Sequence, residues 1–453
     1  MITVFKPASA RLFAVLVFMA LTSGCTTYGK IGNLSKSQRS EAIDYSISLA
    51  ANSATSREVT LVVAFSGGGT RAAALAYGVL QALRDVEIII DGQYLRLIDE
   101  IDLISSVSGG SFTAAYYGLF GERIFSDFED DFLHRDVTGE LLSGLFNPGL
   151  WFSSHGRTEM AVDFYEEKVF KGATFADLYA SDGPVIVINA TDLGRGVRFS
   201  FLQDYFDLLC SDLSSFQVAR AVTASSAVPV LFNPVVLKNH SDCNNAHNML
   251  LQQARQNFKD SPQLEAVVDG LSSYADKQRR QFIHLVDGGI TDNLGLQSIY
   301  EAIELAGGAK RFLSGFKVKP ARYLVVVSVN ASTSPQYQME STNRVPSLEE
   351  TINAMSDTQL HRTNTSTLEQ FAAAMQRWSN ELSSNDFKVN QYLVEIDFNR
   401  ITQAERRLFF NQIPVSLSLP RHEVRELIQA GRELLLDNAD FQRFIDDFSA
   451  GSK

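Results

Sequence analysis

Cysteine and positive charge are both scarce in this 453-residue chain, and each shortage closes off a class of function. Its three cysteines, Cys25, Cys210 and Cys243, are too few for the disulfide framework of a small secreted domain. They make no C-x-x-C or zinc-finger spacing, so neither a structural zinc site nor a thioredoxin-like redox centre is expected. The seven histidines, His134, His155, His240, His247, His284, His361 and His422, form no cluster with acidic residues at metal-ligand spacing. Neither a metal nor another cofactor is called for. With 40 basic against 52 acidic residues the net charge is −12, which argues against nucleic acid as a partner and gives no long-range attraction to anionic lipid. Internal repeats and low-complexity tracts are absent. What remains is ordinary globular material, 45% hydrophobic and 20% charged, enough for one dominant folded domain with additions.

The first residues are not fold. Lys6 and Arg11 precede an uncharged apolar run, Leu12 to Leu21, that is too short to span a bilayer, for which about 20 residues are needed. Thr22, Ser23 and Gly24 then lead into Cys25, so residues 1–24 read as a secretory signal peptide. A thiol in this place resembles the lipobox of bacterial lipoproteins, with Thr22 where the usual leucine stands and Leu21 one position earlier. The resemblance implies acylation of Cys25, a cell-envelope location, and membrane contact through a lipid anchor. Thr26 stands where an inner-membrane retention signal commonly carries Asp, which favours the outer over the inner membrane, and the anchor itself favours the outer membrane over secretion. Residues 25–58 then read as a lipidated start and a polar tether. In such a compartment Cys210 and Cys243 are free either to pair or to remain apart, and the sequence leaves both open.

Ordered structure is expected from Val59. The runs Val59–Phe65, Ile101–Val107, Val185–Ala190, Phe282–Val286 and Tyr323–Val329 are continuous and apolar, the pattern of strands buried on both faces of a parallel sheet. Helix-like segments alternate with them, which predicts an α/β fold with a mostly parallel central sheet flanked by helices. Residues 59–335 are assigned to this domain, with 236–281 as a helical insert able to act as a lid. Residues 336–453 read as an α+β extension, with helices over 348–382, an alternating strand from Phe387 to Phe398 and a terminal helix from Arg421 into Phe448.

Three clusters carry chemistry, each at the end of an expected strand, where ligands of such sheets bind. In the first, Gly67, Gly68 and Gly69 follow Ser66 and open an alanine-rich helix with Thr70 and Arg71. Consecutive glycines leave backbone N–H groups unscreened at a helix N-terminus, which suits an oxyanion hole, and the Gly-Lys-Ser/Thr ending of a phosphate loop is missing. In the second, Ser108 sits between Val107 and Gly109-Gly110 on a strand-to-helix turn, with Ser106 where the G-x-S-x-G pattern has its first glycine. In the third, Asp287 precedes Gly288 and Gly289, 179 positions after Ser108. A carboxylate there is able to take a serine's proton if the fold brings the two together.

Taken in this order, the clusters resemble the patatin-like phospholipase family. The segment Ala224 to Phe232 is similar to that family's Ala/Ser/Pro block, and the resemblance runs from about Val59 to Asn330. It implies a catalytic dyad of Ser108 and Asp287, an oxyanion hole made by Gly67, Gly68 and Gly69, and motif support from Gly109, Gly110, Gly288 and Gly289. The activity implied is hydrolysis of lipid acyl esters, as a phospholipase A or a lysophospholipase. Arg71 looks like the arginine that cytosolic A-type phospholipases use near phosphate, and equally fits a structural salt bridge at a helix entry. A Ser-acid-His triad would require His361 or His422 after Asp287, and neither lies in a glycine-bordered loop. A non-enzymatic lipoprotein that binds lipid or a protein in the same pocket is the alternative; retention of both Ser108 and Asp287 favours the enzyme.

Overall fold

The computed structural model describes residues 28–38, 43–53, 56–90, 92–137, 139–140, 156–229, 231–243, 251, 254–255, 261–334 and 341–451. The expected signal peptide, residues 1–24, and Cys25 therefore lie outside the described residues. Eight strands form the main sheet: β1 (Val59–Phe65), β2 (Ile101–Val107), β3 (Val185–Asp192), β4 (Val197–Ser200), β5 (Val235–Lys238), β6 (Phe282–Val286), β7 (Tyr323–Asn330) and β8 (Asn390–Asp397). Their order is β8-β7-β1-β2-β3-β6-β5, with β4 also paired to β3. The five strands from β8 to β3 run parallel. Four of them, β1, β2, β3 and β7, coincide with the apolar runs because a strand covered on both faces is mostly apolar, although β2 buries Asp102, whose carboxylate accepts the Leu61 N–H; β8 is the alternating strand. Every residue of β2 is buried.

Helices cover both faces. The principal ones are α1 (Gly69–Asp85), α2 (Gly109–Phe120), α3 (Val218–Ser225), α4 (Pro262–Ser272), α5 (Gln297–Leu305), α6 (Leu348–Leu382) and α7 (Arg421–Leu436). On one face Thr60, Val62, Leu324 and Val326 look toward Ile299 of α5 and Phe371 and Trp378 of α6 across an apolar cavity of about 140 Å³. This cavity and a neighbouring one of about 270 Å³ are both lined without Ser108 or Asp287. On the other face α1 crosses α7 at backbone contact: a Cβ on Gly78 would lie 2.0 Å from the Ile428 carbonyl, and one on Gly431 would lie 2.3 Å from that of Leu75. Only glycine permits so close an approach at both positions.

Three expectations change. First, β6 runs antiparallel to β3, so the sheet is mixed where the aspartate motif enters it. Second, the segment read as a separate extension is built into the same layers, since β8 pairs along its whole length with β7 and α7 packs on α1. Third, the expected tether is a packed arm from residue 28 onward. The Asn33 amide both donates to the Lys238 carbonyl and accepts from the Lys238 N–H, each at 2.8 Å, satisfying the edge strand β5 as a neighbouring strand would. Leu34 and Ser35 pair with Asp212 and Ser211, and the buried Tyr45 hydroxyl bonds both backbone groups of Ile186. Of the two open states for the remaining cysteines, Cys210 and Cys243 form a disulfide, their Cα atoms 5.4 Å apart.

Candidate active site

Ser108 stands between β2 and α2 with φ at 49°, one of few non-glycine residues in the left-handed region. Such a backbone costs on the order of 1–3 kcal/mol and persists only where its surroundings enforce it. Here they do. A Cβ on Gly109 would meet the Gly69 carbonyl at 2.0 Å, and one on Gly110 would meet the Ser66 carbonyl at 2.7 Å, so the turn is wedged against the glycine loop. The Ser108 N–H donates to the Ser225 hydroxyl at 2.8 Å, and that hydroxyl donates to the Asn189 carbonyl at 2.6 Å. Ser106, in place of the expected glycine, is fully buried and turns its hydroxyl to the Val187 carbonyl on β3, which accommodates the larger residue.

The direction of β6 explains how Asp287 reaches the serine. β2 pairs with β3 up to Val107 opposite Asn189, and β6 pairs with β3 at Thr191 and Asp192 while running the other way. Its end therefore meets the end of β2. A Cβ on Gly288 would lie 2.3 Å from the Asn189 carbonyl and 3.0 Å from Val107 Cγ1, which leaves glycine as the residue that fits. The Gly288 N–H donates to the Ser225 carbonyl and the Asp287 N–H to the Ala227 carbonyl, each at 3.0 Å. Ser225 thus ties together the turns that carry the serine and the carboxylate. The Asp287 carboxylate accepts the Gly289 N–H at 2.7 Å, and the Ser108 hydroxyl lies close enough to favour its ionised form. Burial pushes the Asp287 carboxyl up to about 6, against the opposing pull of the Gly289 N–H and the Ser108 hydroxyl. A base in that range is ionised at neutral pH yet basic enough to share a proton.

The glycine loop differs from expectation in one donor. The Gly67 N–H is already given to the Asn293 carbonyl at 3.1 Å, so Gly67 holds the loop in place instead of serving an oxyanion. Gly68 and Gly69, at φ 136° and 62°, follow it, and the Gly69 N–H adjoins Gly109, the residue after the serine. The N–H groups of Gly68, Gly69 and Gly109 have no backbone acceptor among the described residues outside their own helices. These three fit an oxyanion hole better than the three loop glycines. Arg71 also departs from one of its two readings: it is 3% exposed, donates to the Ile413 carbonyl and sits beneath Gly68. Burial brings it down to about 10, so it stays cationic while holding the 413–416 segment against α1. Its contacts support a structural role, but through a backbone carbonyl in place of the expected salt bridge, with Asp357 acting on it only electrostatically.

Among the described residues no histidine reaches the pair. His361 bonds the Thr333 carbonyl, His134 lies against Glu129 and His240 against the Asn33 carbonyl, while His284 and His422 are exposed. His155 and His247 lie outside the described residues. Described parts of the 236–281 insert are fixed to the sheet: Arg280 and Tyr274 both bond Asp192 at the end of the interior strand β3. Much of the expected lid, 244–250, 252–253 and 256–260, falls outside the described residues. Sequence reasoning missed Asn189, Asn293 and the joining role of Ser225. A polar Asn in the otherwise apolar run Val185–Ala190 was the available signal for the first.

A serine at a strand-to-helix elbow, paired with a buried carboxylate under a glycine loop, is the arrangement of an α/β serine hydrolase. The chain belongs to the patatin-like phospholipase family, whose model matches residues 63–300, more than half of it. Among solved structures it is similar to human GIVD cytosolic phospholipase A2, at 10% identity and a TM-score of 0.41, covering 90% of this chain and 66% of that one. The same human enzyme in complex with methyl gamma-linolenyl fluorophosphonate gives 10% identity and a TM-score of 0.40, covering 90% of this chain and 62% of the other. The chain thus spans slightly under two thirds of the length of those proteins. No curated protein matches it.

Proposed function

We propose that the protein hydrolyses acyl esters of lipids, as a phospholipase A or lysophospholipase, with Ser108 as nucleophile and Asp287 as its base. The placement of the Ser108 hydroxyl beside a buried carboxylate raised to about 6 carries this reading. Asp287 takes the hydroxyl proton as Ser108 attacks the ester carbonyl, and the N–H groups of Gly68, Gly69 and Gly109 receive the oxyanion. The proton then passes to the departing alcohol, and water activated by the same carboxylate releases the fatty acid from Ser108. With Arg71 turned to a backbone carbonyl, phospholipid over neutral lipid rests on family membership and not on that side chain.

Labelling with a serine-reactive fluorophosphonate and mapping the modified peptide tests the nucleophile. Modification at Ser108 is expected, and a label elsewhere refutes the assignment. Ser108→Ala and Asp287→Asn should each abolish turnover, with the double variant scarcely worse, because residues acting as one unit are non-additive. A folded His361→Ala or His422→Ala variant that loses activity as completely would require a triad instead. We also propose acylation of Cys25 and an outer-membrane location, on the charged start, short apolar run and following thiol. Unchanged incorporation of labelled fatty acid into Cys25→Ser would rule the acylation out.

A further inference from the structure

The apolar cavity beneath Phe371 and Trp378 lies toward the other end of the sheet from Ser108. Strands β7, β1 and β2 run parallel, and the cavity takes residues from their starting halves, among them Leu324, Thr60 and Leu103. Leu103 is five residues before Ser108, roughly 17 Å along the strand. The two faces of these strands are covered unequally. Leu61, Val63, Val325 and Val327 are fully buried on the opposite face, while Thr60 and Leu324 stay half-buried on the cavity face. Protein interiors hold few voids larger than a water molecule, and an apolar one of about 150 Å³ stays dry and accepts an apolar guest. This cavity, of about 140 Å³ and walled by Val62, Val326 and Trp378, is such a place. Ile47, Leu103, Ile299 and Phe312 border both it and its neighbour of about 270 Å³, so the two adjoin and give an alkyl chain room beyond the first.

Charge at the mouth is an independent observation. Arg57 and Lys319 both line the cavity and both are exposed, so it opens to solvent beside them. Neither pairs with a carboxylate among the described residues, and the neighbouring Glu58 is engaged by Arg322. The acid that lines the cavity, Asp102, is 6% exposed, and its carboxylate accepts the Leu61 N–H at 2.9 Å. Either cation alone would be an ordinary solvated side chain. Two unpaired cations at the rim of an apolar cavity, in a chain of net charge −12, match an amphiphile with one negative end. A long-chain fatty acid meets both demands, with a single tail for the apolar walls and a carboxylate for the two cations.

We infer that this cavity is a second lipid site, separate from the Ser108 crevice, which binds a long-chain fatty acid with its carboxylate at Arg57 and Lys319 and its chain against Val62, Val326 and Trp378. The site stands on its own lining and needs no turnover at Ser108, although a fatty acid is also what the hydrolase reading would release. Trp378 supplies the test, because it is 2% exposed against the cavity and Trp151 is the only other tryptophan in the chain. Full-length protein carrying Ser108→Ala and Trp151→Phe is titrated with dibrominated stearate, whose bromines quench an indole they touch, or with its methyl ester. Circular dichroism checks that each variant is folded, and equilibrium dialysis of radiolabelled stearate gives a second readout that needs no tryptophan change. The acid should quench Trp378 saturably, and the ester, which carries no charge, should bind about tenfold more weakly. Adding Arg57→Gln and Lys319→Gln should weaken binding of the acid about tenfold and leave that of the ester unchanged. Absence of quenching by the acid overturns the site. So does quenching that the ester matches or that the two Gln substitutions leave unaltered, as fatty acid held in the Ser108 crevice would give. Failure of the unsubstituted protein to turn over lipid refutes the hydrolase reading and leaves this site standing.

Discussion

Replacing Asp287 with Asn should destroy activity and stabilise the fold, and the structure sets the size and pH range of the second effect. The carboxyl is raised from 3.8 to about 6, chiefly by burial. That difference amounts to about 3 kcal/mol at 1.36 kcal/mol per pH unit. The folded value lies above the unfolded one, so the folded state binds the proton more tightly. Below about pH 4 the group is protonated in both states and costs nothing. As pH rises from about 4 to 6 the unfolded carboxyl ionises freely while the folded one resists, and stability is lost until the deficit levels off above 6. Asn has no charge to desolvate, and its amide oxygen still accepts the Gly289 N–H. Asp287→Asn should therefore exceed the wild type by up to about 3 kcal/mol at pH 7, with the gap closing toward pH 4. Asp102 is raised to about 7 and Asp204 and Asp292 to about 6, so the wild-type profile alone is a composite. The difference between the two proteins isolates Asp287. Urea unfolding from pH 4 to 8 measures it, and equal stability at pH 7, or a gap independent of pH, would refute the desolvation argument. The same ionisation should give wild-type kcat/KM an acid limb near 6, with about one tenth of the plateau rate at pH 5.

Ser225→Ala removes the acceptor of the buried Ser108 N–H and should cost about 1–3 kcal/mol of stability. If Ser225 positions the elbow, kcat falls about tenfold or more while KM holds; an unchanged kcat would leave it a packing residue only. Gly109→Ala would drive a methyl group to 2.0 Å from the Gly69 carbonyl, so fluorophosphonate labelling should drop at least a hundredfold in protein that circular dichroism shows to be folded. The disulfide closes a separation of 33 residues, and replacing both Cys210 and Cys243 with Ser should lower unfolding free energy by about 3–4 kcal/mol. An unchanged urea midpoint would contradict that loop-closure argument.

Local patterns in the chain determined its strands and its serine turn. β1, β2 and β7 are legible because burial on both faces selects a mostly apolar run, even with the buried Asp102 inside β2. Ser108 and its glycines are legible because a sharp strand-to-helix turn tolerates only small neighbours. Partnerships between distant segments were decided only in three dimensions. An apolar run carries no arrow, so nothing in Phe282–Val286 announced that β6 would run antiparallel and bring Asp287 onto the end of β2. A glycine N–H looks the same in sequence whether it awaits an oxyanion or is held, as at Gly67, by the Asn293 carbonyl. Polar residues 28–38 passed for a tether because their main partners, Lys238, Ser211 and Asp212, lie about 180 to 200 positions away. Side chains dictate local geometry through sterics and solvation, while which backbone groups stay free is settled by whichever distant segment the folded chain packs against them.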